Sequence, residues 1–429
     1  MHYANAEYTL LLSSTCNLHC SYCFARGVLR GLDHDTLSLD EIRRFVAFAY
    51  TGNTDHEKII TIVGGEPSLH PDFFGIVEFL LGEQFQLRVF TNGIWPRKTI
   101  DQILSLSESR RTRIGFLVNY NHDIPKGQRD RLHWFCANLL HQFPSMMGIN
   151  IQGVDRRHLQ TIDLCAEYKV NSLRVGISQP IGGQDVYVRF QDYPHIGDWI
   201  CELMEHAVKK HVRLFMDCSH PYCMFDERQH RFIARLQSRQ QLRRYNPDCA
   251  PRILVGPGLQ TWRCYNNHDI SEKKTIHHFG DVSELEHYYS RKLNHWNIGL
   301  FPDEKCRTCH YRIERLCTAG CAGFVLRHDQ GMLEHIRQHV APRLTNCILR
   351  LNNHFLDRVT ESRASFSLYL FGRKYSFPIT PYRDVLNAID GKRSFGEILR
   401  ELGISLRPNQ RSVFVKLIEA KVLTVVTTT

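Results

Sequence analysis

Short apolar segments alternate with amphipathic segments along the first half of the chain. Segments with helical periodicity lie near residues 71–82, 97–107, 128–141, 156–168 and 194–210. Between them, six runs rich in apolar and β-branched residues predict strands at Tyr8 to Ser14, Ile59 to Val63, Gln86 to Thr91, Ile114 to Asn119, Gly148 to Gln152 and Ser172 to Ser178. Such alternation predicts an α/β fold, with a parallel sheet and crossover helices.

The first of the predicted helices has a clear start signal. Ser38 and Glu41 have the spacing of a capping box, and the periodic apolar run that begins at Ile42 follows them. The βα pattern ends near residue 215, and cysteine becomes frequent after that point. The sequence therefore predicts a first domain at residues 1–215 and a second, cysteine-rich domain at residues 216–350.

The last part of the chain, residues 363–429, has the pattern of a small α+β domain. Its second helix is opened by a capping-box sequence at Ser394 and Glu397 and closed by Gly403. The predicted elements are a hairpin of Phe366 to Phe371 and Tyr375 to Ile379, helices at Pro381 to Asp390, Ser394 to Gly403 and Gln410 to Ala420, and a strand at Val422 to Val426. This order is typical of a winged-helix module.

Composition limits the class of protein without identifying it. At 429 residues the chain has room for two or three domains, and 43% hydrophobic with 23% charged residues is ordinary for a globular protein. The first residues lack a basic region followed by an apolar core, and no apolar run has the length of a membrane span, so we expect a cytoplasmic protein without membrane contact. The net charge of +10 is modest and its basic residues are scattered, which indicates a solvated surface.

Cysteine is the residue type that changes this picture. The chain has 15 cysteines and no export signal, which indicates metal ligands rather than disulfides. Cys16, Cys20 and Cys23 form one C-x3-C-x2-C loop after the first predicted strand, at the end where parallel α/β barrels have their active sites. Such short gaps let three thiols converge on a four-iron cluster and leave one iron free to bind a substrate.

Two other interpretations of this loop remain open on its residues alone. His19 could complete a zinc site with the three thiols, or the cysteines could be buried side chains of a small core. The turn after the second predicted strand, Gly64-Gly65-Glu66-Pro67, favours the cluster. Its glycines permit a backbone turn with free N–H and C=O groups that face a ligand, and its proline stiffens the exit.

The cysteine loop, with Tyr22 before its last thiol and a Gly-Gly-Glu-Pro turn one βα unit later, resembles the radical S-adenosylmethionine superfamily. The resemblance implies a partial (βα)6 TIM-like barrel. It also implies that the open iron chelates S-adenosylmethionine, whose one-electron reduction by a flavodoxin- or ferredoxin-type partner yields a 5′-deoxyadenosyl radical. The residues that it places around S-adenosylmethionine are Tyr22, Gly64, Gly65, Glu66, Pro67, Asn92, Asn119 and Ser178.

The cysteine-rich region resembles the SPASM extension of this superfamily, which carries two auxiliary four-iron clusters. By position, the outer cluster would be held by Cys306, Cys309, Cys317 and Cys347, and the inner cluster by Cys249, Cys264 and Cys321. Two spacings depart from the pattern: seven residues instead of five separate Cys309 from Cys317, and a glycine expected five positions before Cys264 is displaced to Gly258. A zinc ribbon is the alternative for these thiols.

The inner cluster has only three obvious thiols. Its fourth ligand could come from Cys218 or Cys223, or that position could be open for substrate. Either of these two cysteines could instead donate a hydrogen atom to a substrate radical, as radical epimerases require. Isolated cysteines are also common as buried small side chains.

The C-terminal module resembles the leader-peptide-recognition modules related to the pyrroloquinoline-quinone peptide chaperone, on the segments DGKRSFGEILREL and FVKLIEAKVL. Those modules bind the leader of a ribosomal precursor peptide by strand addition. We therefore expect a peptide-modifying enzyme that makes a cross-link, an oxidation or an epimerisation. The alternatives are an enzyme of the same machinery that acts on an aminocyclitol or sugar, and a zinc-stapled nucleic-acid-binding protein. The third predicted helix has few base-reading side chains, which argues against nucleic acid.

Overall fold

The computed structural model describes the chain in segments: residues 7–50, 58–179, 186–217, 219–242, 252–267, 273–286, 288–289, 303, 305–313, 317, 320–321, 347–351, 356–361, 365–370, 373–378, 382–406, 414, 417 and 423–428. The chain divides into two compact units. The larger contains residues 2–293 and 318–329, and the smaller contains residue 1 with residues 294–317 and 330–429. Within the described segments, no helix is long and apolar enough to cross a bilayer.

The described residues of the larger unit form a ten-stranded sheet. The strands are β1 Glu7–Leu11, β2 Ile59–Val63, β3 Gln86–Thr91, β4 Ile114–Asn119, β5 Ser145–Ile151, β6 Ser172–Ile177, β7 Arg213–Met216, β8 Arg252–Gly256, β9 Gln260–Trp262 and β10 Lys274–Thr275. Their order in the sheet is β10-β9-β8-β1-β2-β3-β4-β5-β6-β7. The strands β8, β1, β2, β3, β4, β5, β6 and β7 pair in parallel, and β9 pairs antiparallel with both β8 and β10.

Helices follow most of the parallel strands of this unit. Nine are described with bounds: α1 Arg26–Arg30, α2 Leu39–Tyr50, α3 Phe73–Gly82, α4 Arg97–Leu104, α5 Glu108–Arg111, α6 Lys126–Leu139, α7 Arg157–Glu167, α8 Tyr193–Lys209 and α9 Glu227–Ser238. The predicted capping box of α2 is present, since the N–H and hydroxyl of Ser38 both donate to Glu41 and the N–H of Glu41 donates to Ser38 Oγ.

Both faces of the sheet are buried, as expected where crossover helices cover a parallel sheet. Along β1, Tyr8 and Leu10 belong to the large apolar core that the helices share. Leu11 points the other way, into a second cluster with Val63 and Trp262. Successive side chains of a strand alternate between its faces, so this segment is apolar at nearly every position.

The predicted α/β fold is confirmed, with three strand predictions matched residue for residue at Ile59–Val63, Gln86–Thr91 and Ile114–Asn119. The sheet nevertheless continues beyond residue 215. Strand β7 pairs with β6, and β8 pairs in parallel with β1. The sequence missed these additions because β7 has only four residues, and residues 243–251 before β8 carry no strand or helix pattern. The domain bounds 1–215, 216–350 and 363–429 stay predictions.

The smaller unit contains two antiparallel sheets and a core of its own. Strand β11 Cys347–Leu351 pairs with β15 Leu423–Thr428, and β12 Leu356–Glu361, β13 Ser365–Leu370 and β14 Arg373–Pro378 form a meander. Short helices α10 Lys305–Thr308 and α11 His310–Ile313 precede the strands, and α12 Tyr382–Ala388 and α13 Phe395–Glu401 lie between β14 and β15. Leu349, Phe395 and Phe414 lie in the shared apolar core.

The pattern of the C-terminal segment predicted several of these elements. Its hairpin is confirmed as β13 and β14, and the capping box of Ser394 and Glu397 opens α13. Its last strand pairs with β11, a partner that the sequence pattern did not indicate. The predicted third helix lies mostly outside the described residues, apart from Phe414 and Leu417, which are helical and buried.

Candidate active site at the carboxyl ends of β1 to β6

The cysteine loop and the Gly-Gly-Glu-Pro turn are in direct contact. The N–H of Gly65 donates to the carbonyl of Ser13 at 2.7 Å, and the N–H of Glu66 donates to that of Thr15 at 2.8 Å. A Cβ atom on Gly65 would lie 2.2 Å from the carbonyl oxygen of Thr15 and 2.9 Å from the Cβ of Cys16. Only glycine permits this approach, so the turn after β2 fixes the start of the cysteine loop.

The three thiols of this loop are near enough to one another to interact electrostatically. The pKa of Cys16 is raised to about 11, first by burial and then by Glu66 and the neighbouring thiols Cys20 and Cys23. The pKa of Cys20 is also raised, first by burial and then by Cys23. A thiolate must form before it can bind iron, so ligation here releases protons and removes the mutual repulsion.

Glu66 is fully buried and organises the next βα turn. Its Oε1 accepts from the hydroxyl of Thr91 at 2.8 Å and from the N–H of Ser68 at 3.2 Å, and its Oε2 accepts from the N–H of Asn92 at 2.8 Å. Complete burial raises the pKa of this carboxyl group. Three donors on one carboxyl group join the turns after β2 and β3, and Pro67 begins the 3-10 turn that follows.

Asn92 joins the turn after β3 to the cysteine loop. Its Nδ2 donates to Oδ1 of Asn17 at 2.7 Å, and the Nδ2 of Asn17 donates to the carbonyl of Ile94 at 2.8 Å. Asn17 directly follows Cys16. The segments after β1, β2 and β3 therefore form one hydrogen-bonded assembly around the thiols.

A polar chain runs from the cysteine loop into the barrel. The side chain of Tyr22 interacts with those of Cys20 and Asn150, and burial raises its pKa. The Oδ1 of Asn150 accepts from Arg174 at 3.0 Å, and the Nε of Arg174 donates to Asp217 at 2.7 Å. Arg174 and Asp217 are both buried, with Arg252 at 3.7 Å from the same carboxylate.

Sequence reasoning missed Asn150, Arg174 and Asp217. The sequence nevertheless carried a signal for two of them, because Asn150 and Arg174 are polar residues inside apolar strands. Asn150 lies two residues after Gly148, and Arg174 lies two residues before Gly176. Glycines beside large polar side chains make room for them: a Cβ on Gly176 would lie 2.8 Å from the guanidinium nitrogens of Arg174.

Asn119 and Ser178 lie where the sequence placed them, at the carboxyl ends of β4 and β6. The side chain of Asn119 passes over Gly148, and a Cβ added at Gly148 would lie 3.0 Å from Asn119 Oδ1. Within the described residues, Asn119 Oδ1 and Ser178 Oγ are buried without a hydrogen-bond partner. Buried polar atoms without partners are uncommon and suit a site that binds a polar ligand.

Of the cysteines of the larger unit outside the loop, Cys136, Cys165 and Cys201 lie on α6, α7 and α8. The others follow β7. Cys321 Sγ accepts from Nδ2 of Asn266, two residues after Cys264, at 3.0 Å. Gly320 packs against Pro221, since a Cβ added at Gly320 would lie 3.0 Å from the proline ring. The segments of Cys264, Cys321 and exposed Cys223 are therefore neighbours. Cys218 and Cys249 lie outside the described residues.

Four cysteines, Cys306, Cys309, Cys317 and Cys347, belong to the smaller unit. Cys306 and Cys317 are buried and Cys309 is half-buried. The N–H of Cys317 donates to the carbonyl of Tyr311 at 3.1 Å, which folds this thiol back towards α11. Cys347 begins β11, opposite Thr428.

The donor set of the cysteine loop fits a four-iron cluster. Ligands of one zinc ion converge on a point, whereas cluster ligands bind separate irons of a cube. The loop supplies three thiols, and amide N–H groups of Asn92 and Asn121 donate to two of them.

Comparison with known proteins agrees with this geometry. The family profile described as "Radical SAM superfamily" matches residues 10–134. The matched segment contains Cys16, Cys20, Cys23 and the turn after β2, the residues from which the sequence predicted this superfamily.

Two curated relatives match over a shorter part of the chain. GTP 3′,8-cyclase of Mannheimia succiniciproducens is 40% identical over 101 residues, 22% of this chain and 29% of the relative. GTP 3′,8-cyclase of Streptomyces coelicolor is 40% identical over 91 residues, 20% of this chain and 26% of the relative. The matches thus span less than a third of either relative.

Solved structures share the fold over most of the chain. Streptococcus suis SuiB bound to S-adenosylmethionine superposes with a TM-score of 0.54 at 13% identity, over 74% of this chain and 73% of SuiB. Hexahistidine-tagged anSMEcpe with bound AdoMet gives a TM-score of 0.51 at 14% identity, over 78% of this chain and 96% of anSMEcpe. SuiB bound to precursor peptide SuiA gives a TM-score of 0.50 at 11% identity, over 66% of this chain and 64% of SuiB.

Proposed function

We propose that this chain is a radical S-adenosylmethionine enzyme that modifies a ribosomally made peptide by hydrogen abstraction. The observation that carries the proposal is the packing of Gly65 against Thr15 and Cys16, which brings the cysteine loop and the S-adenosylmethionine-binding turn together. A four-iron cluster with one open iron supplies one-electron reductive cleavage of S-adenosylmethionine when bound. Its protein ligands are Cys16, Cys20 and Cys23.

Residues of the chain hold the cofactor in this proposal. The turn at Gly64 and Gly65 offers backbone groups to the amino group of S-adenosylmethionine, and Glu66 keeps that turn and the Thr91-Asn92 turn in place from its buried position. Asn119 and Ser178 offer buried polar atoms that have no protein partner in the described residues. Such preorganisation fixes the 5′ carbon relative to one C–H bond of the substrate.

The auxiliary cysteines hold two further four-iron clusters in this proposal. Cys306, Cys309, Cys317 and Cys347 are ligands of the outer cluster, and all four belong to the smaller unit. Cys249, Cys264 and Cys321 are ligands of the inner cluster. The contact between Gly320 and Pro221 favours Cys218 or Cys223 as its fourth ligand, because Pro221 lies between them in the chain.

A peptide is the substrate that the comparisons favour. SuiB, which shares the fold, has been solved with a precursor peptide. In the smaller unit, the meander of β12, β13 and β14 has edge strands that could pair with an extended leader, the strand-addition mode expected of a leader-recognition module. The partners in this proposal are a precursor peptide and a cytoplasmic flavodoxin- or ferredoxin-type reductant.

Mass spectrometry of an anaerobic reaction in deuterated water tests the peptide substrate. The reaction contains the reconstituted enzyme, S-adenosylmethionine, a reductant and short peptides encoded beside the gene. Loss of two hydrogens from a peptide supports a cross-link or double bond, and gain of one solvent deuterium supports epimerisation with a cysteine donor such as Cys223. Formation of 5′-deoxyadenosine with every peptide unchanged contradicts the peptide proposal.

A small molecule is the second candidate substrate. The observation in its favour is the 40% identity to GTP 3′,8-cyclases, which are named for a nucleotide substrate, over 101 and 91 residues. An aminocyclitol or sugar would be oxidised by the same machinery, with the C-terminal unit used for docking. Turnover of such a compound, with no peptide modified, would move this candidate to first place.

A further inference from the structure

The turns after β3 and β4 have the same local structure. Oδ1 of Asn92 accepts from the N–H of Ile94, two residues later, at 2.9 Å. Oδ1 of Asn121 accepts from the N–H of Asp123, also two residues later, at 2.9 Å. These are Asx turns, in which the side-chain oxygen fixes the rotamer of its own residue.

Each turn aims its amide N–H group at a cysteine of the loop. With Oδ1 engaged as an acceptor, the other end of the amide is the nitrogen, so its orientation follows from the network. Nδ2 of Asn121 lies 3.4 Å from Sγ of Cys20, and Nδ2 of Asn92 lies 3.9 Å from Sγ of Cys16. Asn121 makes the shorter contact, and the residue is 8% exposed.

A donor in this position acts on the electron affinity of a cluster. Reduction adds negative charge to the iron and sulfur atoms, and an N–H dipole directed at a ligand sulfur stabilises the reduced form more than the oxidised form. Hydrogen bonds to sulfur are among the factors that set cluster potentials. Burial strengthens the effect, because water does not screen the dipole.

We propose that Asn121 is a positioning residue that raises the reduction potential of the cluster on Cys16, Cys20 and Cys23 through its hydrogen bond to Cys20 Sγ. Asn92 acts in the same direction at Cys16, more weakly because the contact is longer. The inference rests on the proposed function only in needing that cluster, and it is independent of the substrate.

Two substitutions of Asn121 separate this role from a structural one. Asn121→Asp keeps the Asx turn, because a carboxylate oxygen still accepts from the N–H of Asp123, and it replaces the donor to Cys20 with a negative oxygen. Asn121→Ala removes both. Asn138→Asp is the matched control, since Asn138 is exposed on α6 and its Nδ2 donates to the carbonyl of Trp134 at 2.7 Å.

The measurement is an anaerobic redox titration followed by electron paramagnetic resonance, read on the reduced-cluster signal that changes when S-adenosylmethionine is added. We expect the ratio of reduced to oxidised cluster at a fixed potential to fall about tenfold in Asn121→Asp, a shift of about 59 mV for one electron. Asn121→Ala should shift less in the same direction, and Asn138→Asp should match the wild type.

An unchanged midpoint potential in Asn121→Asp would overturn the inference, and so would loss of the signal from both Asn121 variants, which would make the residue a structural support of the loop. Absence of an S-adenosylmethionine-sensitive signal from the wild-type protein would instead contradict the proposed function. The two failures are therefore distinguishable in one experiment.

Discussion

The buried carboxylate of Glu66 accepts a hydrogen bond of 2.8 Å from the backbone N–H of Asn92. Glu66 follows β2 and Asn92 follows β3, so the bond joins two neighbouring turns at the carboxyl edge of the sheet. Asn92 also donates to Asn17 in the cysteine loop, so Glu66 is connected to that loop through Asn92.

The substitution Glu66→Gln tests this linkage. Glutamine puts an amide NH2 where a carboxylate oxygen now faces an N–H or hydroxyl donor, so at least one buried donor loses its acceptor. We expect a loss of about 1–3 kcal/mol in the free energy of unfolding, measured by urea denaturation at neutral pH. Glu83→Gln, at an exposed position after α3, is the control. Equal losses in the two variants would show that the Glu66 network does not stabilise the fold.

Gly65→Ala is expected to abolish catalysis without unfolding the sheet. The new Cβ would meet the Thr15 carbonyl at 2.2 Å, and the cysteine loop would have to move away. Displacements of about 1 Å at a reacting centre can cost about 100-fold in rate, so 5′-deoxyadenosine formation should fall by at least about that factor. Gly127→Ala on α6, where a Cβ meets nothing within 4 Å, should retain wild-type activity. Wild-type activity in Gly65→Ala would contradict the contact.

Breaking the Arg174–Asp217 pair should cost far more stability than breaking a surface pair. Both partners are buried at 2.7 Å, so Arg174→Met leaves an inadequately compensated charge and should lower the free energy of unfolding by about 3–5 kcal/mol. Arg156→Met, which breaks the exposed pair with Glu202 at 3.3 Å, should cost about 0–1 kcal/mol. Chemical denaturation of both variants decides between a structural pair and a solvated one.

His122 should make the protein less stable at acid pH. Burial, with a contribution from His158, lowers the pKa of His122 to about 4, below the ordinary value of about 6.5. Between these values the unfolded chain binds a proton that the folded chain does not, so stability falls as pH decreases from 6.5 to 4. Partial exposure reduces the effect to about 1–2 kcal/mol.

Urea denaturation of the wild type and of His122→Gln at pH 7.5 and pH 5 measures this contribution. The variant should lose less stability than the wild type over that interval, because glutamine does not titrate. Identical losses would show that the imidazole of His122 has an ordinary pKa in the folded protein.

The sequence predicted the sheet best where strand and turn chemistry agree. Ile59–Val63 is an apolar run that ends in Gly64-Gly65, and its bounds match β2. The sequence also revealed the cysteine loop and the Gly-Gly-Glu-Pro turn. Closely spaced cysteines indicate metal ligation, and adjacent glycines indicate a turn in which the backbone can approach another group closely. Strands β7 and β8 were missed because they lie at or beyond the point where the βα pattern ends, and their pairing with β6 and β1 is a long-range property that the pattern does not show.

The interior network lay beyond sequence pattern for the same reason. Arg174 belongs to β6 and Asp217 follows β7, 43 residues later, and only the sheet register brings them together. Asn121 escaped because an asparagine after a strand is usually a turn residue. It is one here as well, and its contact with Cys20, 101 residues away, is visible only in the folded chain.

Anaerobic formation of 5′-deoxyadenosine from S-adenosylmethionine tests the proposed radical chemistry directly. We expect steady formation by the reconstituted protein with a strong reductant, loss of the product in Cys20→Ala, and retention in Cys201→Ala, whose thiol lies on α8 among core side chains. Product formation by Cys20→Ala at the wild-type rate, or none from fully reconstituted wild type, would contradict it.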